Sequence, residues 1–352
     1  MHISLGSIAQ PGAPFGYGII GDNLFKAIHN AGAFISVQEP EYDLAIAIGL
    51  PMPWAVSPGT RRTDLVWHTM FEATPFPPGW PGVINRSAGV WVPCQWSAQE
   101  MRKVGVTTPI MISGYGVDTD IFSYAPRNPD APFRVVTWGR GLNSRKNLPL
   151  AMRVFAAANL PDDAFMEVKV NTDDPLAFDG QTVEGSNIRI IKQIWPVRGL
   201  ADWLRSASAM VYMSSGEGFG LMPLEAMATG LPVICAANTG MLEYLTPQNS
   251  LMVECPNLIP AHAYTRMFGY DCEWYQPDFD QAVEYLRWAY YNREAAFELG
   301  RQAALDVAAN WTWEIAGQSA LRKLHLHFQP NSRTYNSDNV TATLPLLHFT
   351  EV

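Results

Sequence analysis

Residues 209–237 read AMVYMSSGEGFGLMPLEAMATGLPVICAA, and the fold follows from how this stretch alternates. Ala209 to Met213 is a short apolar run rich in β-formers, the length of a buried strand. The loop after it holds Gly218, Phe219 and Gly220. Pro223 suits the first turn of a helix, and Gly230 followed by Pro232 suits its end. Leu231 to Ala237 reads as a second buried strand. Strand, glycine loop, helix and strand make one unit of an open α/β sheet, where ligands bind beyond the strands' carboxyl ends. Glycines let backbone N–H groups approach an anion, and the helix start adds partial positive charge. Glu217 and Glu225 flank the loop, and an ionised carboxylate accepts from neighbouring hydroxyls such as those of a sugar.

The segment S-x-x-E-G-F-G-L-x-x-L-E-A-M-A-x-G-x-P-V, present as Ser214 to Val233, resembles the signature of retaining GT-B glycosyltransferases, family 4-like (glycosyl transferases group 1). The resemblance implies two Rossmann-like domains facing across a cleft, with the C-terminal helix crossing back to the first domain. It also implies roles in this chain. Glu217 would sit near the transferred sugar, Gly218, Phe219, Gly220 and Leu221 would meet the donor, and Glu225 would hold the nucleotide ribose. Retention in the family is described as same-face attack, with a donor phosphate oxygen taking the acceptor proton. Glu217 is then a positioner rather than a nucleophile.

Composition fits such a protein. With 352 residues the chain has room for two core-bearing domains, and its 48% hydrophobic and 16% charged residues fit a globular protein. The net charge of −9 argues against a general electrostatic grip on nucleic acid or anionic lipid. Residues 1–126 carry six Lys/Arg against nine Asp/Glu, which argues against a membrane-surface helix there. Cys94, Cys235, Cys255 and Cys272 form no CxxC pair or zinc spacing and read as free thiols. Finding no basic leader and no run of eighteen apolar residues, we expect a cytoplasmic protein without a transmembrane segment.

Strand-like and helix-like pieces alternate twice. The first set runs from His2–Ser7 through a helix at Ile19–Ala31 to strands near Leu65–His68 and Gly89–Pro93. It continues with a helix at Ser97–Val104, capped by Ser97, and a strand at Ile110–Ser113. The proline-rich Tyr124–Pro132 is the candidate linker. A second set begins with Phe133–Gly139, and Asp280–Ala309 carries long helical patterning. The expected domains are 1–126, 133–310, a helix at 311–328 packing back on the first, and a tail at 329–352.

A departing nucleoside diphosphate needs its charge neutralised by a metal or by fixed cations. Asp173-Asp174 precede a proline and read as a turn, so no metal is expected. Gly139-Arg140 and Lys146-Asn147 resemble the family's G-R-x-x-x-x-x-K-[GN] element, which makes Arg140 and Lys146 the diphosphate clamp, with Arg145 as a substitute for Lys146. Gly16-Tyr17-Gly18 resembles the glycine loop of the first domain, and His68 the histidine near the reacting centre. Glu72 and Tyr17 are acceptor-side candidates. Ile194 to Arg198, with Ile194 and Val197, occupies the place of the nucleotide-base contact. Tyr115 stands where the family has asparagine, and Thr239 where it has a glycine of G-G-x-x-E.

The expected partners are a nucleotide-sugar donor, UDP- or GDP-linked, and an acceptor hydroxyl on a saccharide, small molecule or polymer. Two alternatives stand beside this: a nucleotide-sugar-binding module inactive without a partner subunit, and a transferase acting on a nucleic-acid base.

Overall fold

The computed structural model describes residues 1–7, 16–37, 42–51, 62–139, 145–170 and 187–328. The chain forms two compact units, Met1–Gly116 with the segment from Trp313, and Val117–Thr312. The division falls ahead of the proline-rich stretch, which belongs to the second unit.

In the first unit, β1 (His2–Ser7), β2 (Phe34–Val37), β3 (Leu44–Ile48), β4 (Arg62–His68), β5 (Ser87–Val92) and β6 (Ile110–Ile112) form a parallel sheet. Its order is β2-β1-β3-β4-β5-β6. Helix α1 (Gly16–Asn30) follows β1, so Gly16 and Gly18 open a helix rather than sit in the loop before it. Between β4 and β5 lies the single-turn α2 (Pro81–Ile84). Helix α3 (Gln95–Lys103) begins earlier than its polar residues suggest. Its cap is Cys94, whose Sγ accepts from the Ser97 N–H at 3.4 Å, while Ser97 is buried inside the helix. The last helix among the described residues, α10 (Trp313–His327), also belongs to this unit and packs on α1. A Cβ on Gly317 of α10 would lie 2.5 Å from the backbone of Ala27. The bare glycine lets the helices approach.

The second unit repeats the plan with a different order. The strands β7 (Phe133–Gly139), β8 (Ala164–Val170), β9 (Ile188–Lys192), β10 (Ala209–Tyr212), β11 (Val233–Ala236) and β12 (Leu251–Val253) pair as β12-β11-β10-β7-β8-β9, all parallel. One sheet face, with Phe133, Val135, Met166, Val168, Ala209 and Val211, is buried under α4 (Leu148–Ala158) and α8 (Phe279–Tyr291). Helices α5 (Val197–Arg205) and α6 (Leu221–Ala228) follow β9 and β10, and α9 (Arg293–Asn310) packs on α6. The long helical pattern after residue 278 is therefore two helices, broken at Asn292. A hairpin of β13 (Asn257–Pro260) and β14 (Glu273–Gln276) carries α7 (His262–Phe268) between its strands.

Chain order reverses between β7 and β10, which are neighbours although β8 and β9 intervene in sequence. Such a switch point leaves a crevice outside the carboxyl ends of the two strands, because their following loops diverge to opposite sides. The buried guanidinium of Arg127 ties the proline-rich stretch beneath this unit. It donates to the carbonyls of Leu204, Ala207 and Thr229 at the ends of α5 and α6, where a cation also meets the negative end of each helix. Among the described residues no helix is long and apolar enough to cross a membrane.

Replacing Gly317 by alanine forces its new methyl into the Ala27 backbone. We expect Gly317→Ala to lower stability by about 1–3 kcal/mol, read from denaturant unfolding of the whole chain.

Candidate active site

The crevice between β7 and β10 is where Lys146 and Glu217 meet. Lys146 arrives on the loop entering α4, whose preceding residue Asn147 adopts φ 57, a left-handed backbone suited to glycine or asparagine. That explains the family's choice at this position. Glu217 arrives on the loop after β10 and is buried. Its Oε1 accepts from Lys146 Nζ at 2.7 Å, Tyr212 Oη at 2.6 Å and Ser214 Oγ at 2.6 Å, and its Oε2 lies 3.0 Å from Arg145 Nη1. Lys146 Nζ also donates to Tyr212 Oη at 2.8 Å.

The loop is braced from behind by the 3-10 turn Thr239–Glu243. The Glu217 N–H donates to Thr239 Oγ1 at 2.7 Å, Thr239 Oγ1 donates to Asn238 Oδ1, and Asn238 Nδ2 donates to the Ser214 carbonyl. Thr239 has φ 48, an uncommon backbone for a β-branched residue and one that the family's glycine adopts freely. The hydroxyl supplies an acceptor for Glu217 that glycine lacks. Gly220 has φ 90, and Tyr244 Oη donates to its carbonyl at 2.6 Å, so close that a Cβ there would meet Tyr244 Oη at 2.7 Å.

Charge in this cluster is set by its partners. Burial opposes ionisation of Glu217, but Arg145, then Lys146 and the Ser214 hydroxyl outweigh it and hold the carboxyl well below the usual carboxylate range. Burial raises the Tyr212 phenol, and the Glu217 charge raises it further, so this group stays protonated and donates. Glu225, half-buried on α6, behaves oppositely. Burial pushes its carboxyl up to about 8, with Lys146 only partly opposing.

The first unit gathers a separate cluster. His68 ends β4 and is fully buried, its Nδ1 at 3.2 Å from the Trp91 carbonyl and its Nε2 at 3.1 Å from Tyr115 Oη. Burial lowers its pKa to about 4, and the ring is neutral at physiological pH. Tyr115 therefore has a defined task at the position where the family has asparagine. Tyr17 Oη donates to the Met70 carbonyl at 3.0 Å and accepts from its N–H, which fixes the turn after β4. Burial and then the charge of nearby Glu72 raise the Tyr17 phenol. The structure thus brings Tyr17, His68, Glu72 and Tyr115 together.

Residues 188–319 match the family described as family 4 glycosyltransferase in conflict systems. A D-inositol 3-phosphate glycosyltransferase of Kribbella flavida is 34% identical over 133 residues, 38% of this chain and 26% of that protein. The chain spans about a quarter or less of the length of the curated relatives it matches. Sucrose-phosphate synthase of Thermosynechococcus elongatus superposes with TM-score 0.69 at 15% identity, over 93% of this chain and 98% of that one. TarM of S. aureus, solved with UDP, superposes with TM-score 0.60 at 15% identity, over 87% of this chain and 59% of that one. Residues 188–319 are thus similar to family 4 glycosyltransferases, and the fold of the chain is GT-B.

Within this fold the site residues named from sequence divide by environment. Arg140, like Asp173 and Asp174, lies outside the described residues. Lys146 and Arg145 both reach Glu217. Gly218 and Gly220 are buried, and Leu221 opens α6. The Phe219 ring is only 2% exposed and packs against Tyr244 and Trp311, leaving its backbone alone to serve a ligand. Ile194 and Val197 stand 60% and 52% exposed around the start of α5. Among the described residues no group of three His, Cys, Asp or Glu is placed to hold a metal ion.

Sequence reading missed Tyr212, Ser214 as a partner of Glu217, and the bracing role of Thr239. A signal for Tyr212 was present: a buried tyrosine in an aliphatic strand needs a partner for its hydroxyl, and a carboxylate stood five residues on.

Because the raised Glu225 pKa means that the folded chain holds the proton more tightly, its stabilising contribution is full below the ordinary carboxyl value of 4.5. It is lost as pH climbs toward about 8. Thermal unfolding between pH 5 and 8 will show Tm of the native chain falling relative to Glu225→Gln, whose profile will be flatter.

Proposed function

We infer that the protein is a retaining, metal-independent glycosyltransferase that moves a sugar from a nucleotide-sugar donor to an acceptor hydroxyl. The observation that carries this reading is the Arg145–Lys146–Glu217–Tyr212 cluster at the β7–β10 switch point. It combines two cations with an ionised carboxylate, the opposite charges that a diphosphate and a cationic sugar centre require. Lys146 and Arg145 take the diphosphate, the loop amides from Gly218 to Leu221 assist, and Glu225 accepts from the ribose. The C1–phosphate bond breaks as the acceptor oxygen bonds to C1 on the same face. The acceptor proton passes to a diphosphate oxygen. The cluster's hydrogen bonds hold Glu217 as a positioner of sugar hydroxyls, and its low pKa makes it a poor proton carrier.

The family match and the UDP-bound structure of TarM support a nucleotide donor, UDP- or GDP-linked. A second reading, a donor-binding chain that does not turn over alone, draws on His68, whose two ring nitrogens already have partners.

Incubation with UDP-, GDP- and ADP-sugars and an acceptor panel, following free nucleoside diphosphate, tests both. Turnover is expected to survive EDTA and to fall about a hundredfold or more in Glu217→Gln and Lys146→Ala. Binding without release in every acceptor mixture would favour the second reading. Neither binding nor release would dispose of both.

A further inference from the structure

The sheet face opposite the main core of the second unit carries a buried lysine that the site described above does not use. Lys169 sits on β8, one residue before the strand's carboxyl end, and is 7% exposed. It pairs in register with Trp138 of β7 on one side and Ile191 of β9 on the other. Its ammonium lies 5.5 Å from the ring centroid of Trp195, and Trp195, Trp203 and Trp138 pack edge to face in a row.

Among the described residues Lys169 has no anion beside it. The nearest carboxylate along the same strand face, Glu167, is already engaged: Trp203 Nε1 donates to it at 2.7 Å, and Arg134 and Arg189 lie at 3.9 and 3.6 Å. Among the described residues no carboxylate stands at ion-pair distance from Lys169. Burial accordingly lowers its pKa. A desolvated ammonium with only an aromatic neighbour is costly, and methionine at this place would pack as well without that cost. A lysine in these surroundings points to an acceptor supplied from outside.

Position says which part of a ligand that acceptor belongs to. Arg145 and Lys146 hold the β7–β10 crevice, and β8 lies on the far side of β7 from β10, so Lys169 is one strand, about 5 Å, further out. A nucleoside diphosphate with its phosphates in the crevice and its nucleoside laid toward β9 brings its base to Trp195 and to the exposed side chains of Ile194 and Val197. A base seated against Trp195 would stand beside the Lys169 ammonium, which lies 5.5 Å from that ring's centroid. An ammonium has three donors and no acceptor. Uracil and guanine offer it a carbonyl oxygen, where adenine presents an amino donor.

We propose that Lys169 is a specificity residue of the donor site, donating to a ring carbonyl and selecting keto-bearing bases over adenine. The proposal rests on the nucleotide-sugar reading, and calorimetric titration of the full chain separates the two. The native chain should bind UDP or GDP at least tenfold more tightly than ADP. Lys169→Met should lose about ten- to a hundredfold in affinity for the favoured diphosphate, leave ADP unchanged, and raise Tm of the free chain. If the native chain binds none of the three, the nucleotide-sugar reading falls and this proposal with it. If it binds them but prefers ADP, or the variant keeps the native preference, the proposal alone is overturned. Equal loss for all three would make Lys169 a phosphate contact, and a lower Tm or failure to fold would make it structural. Either result also overturns the assignment.

Discussion

One buried carboxylate organises the second unit. Glu217 is withdrawn from water, and its charge survives because Arg145, Lys146, Tyr212 and Ser214 surround it. An unpaired charge at that depth would be strongly unfavourable, so the loops after β7 and β10 are coupled through it. The coupling explains the rest of the local architecture. Asn147 takes a left-handed backbone to deliver Lys146, Thr239 takes one to brace the Glu217 amide, and Gly220 takes one beneath Tyr244. Three unusual backbone positions close on one carboxylate.

The two clusters carry different chemistry. That of the second unit concentrates opposite charges, with Glu217 ionised and Glu225, eight residues on, protonated near neutral pH. Two carboxyls in one signature are thus divided by environment alone. The cluster of the first unit is neutral in its centre: His68 is held uncharged between a carbonyl and a phenol, and Tyr17 fastens the following turn. A buried neutral histidine with both nitrogens engaged orders the end of β4. Glu72, just beyond, lies close enough to raise the Tyr17 phenol.

Aromatic packing has a similar double use. Phe219 reads from sequence as a ligand contact, yet its ring is spent on Tyr244 and Trp311, anchoring the glycine loop to the end of α9. The tryptophan row beside Lys169 walls the outer half of the same sheet edge.

Most strands and helices were legible because each is a short apolar run punctuated by glycine, proline or a polar cap, and β7, β8 and β9 fall where that pattern ends. Boundaries failed where caps were unconventional: Cys94 replaced the expected Ser97, and Asn292 split one helical pattern into two. The signature also told that Glu217, Glu225 and Lys146 share a unit, since spacing after strands places residues at one sheet edge. It carried no information on which groups pair. That Arg145 and Lys146 converge on one oxygen pair, that Tyr115 completes His68, and that Lys169 has no anion beside it among the described residues depend on strand order and on side chains far apart in the chain. Sequence determined the alternation and therefore the α/β class. Only the tertiary structure decided protonation and partnership, because both follow from burial and from distances that local spacing does not encode.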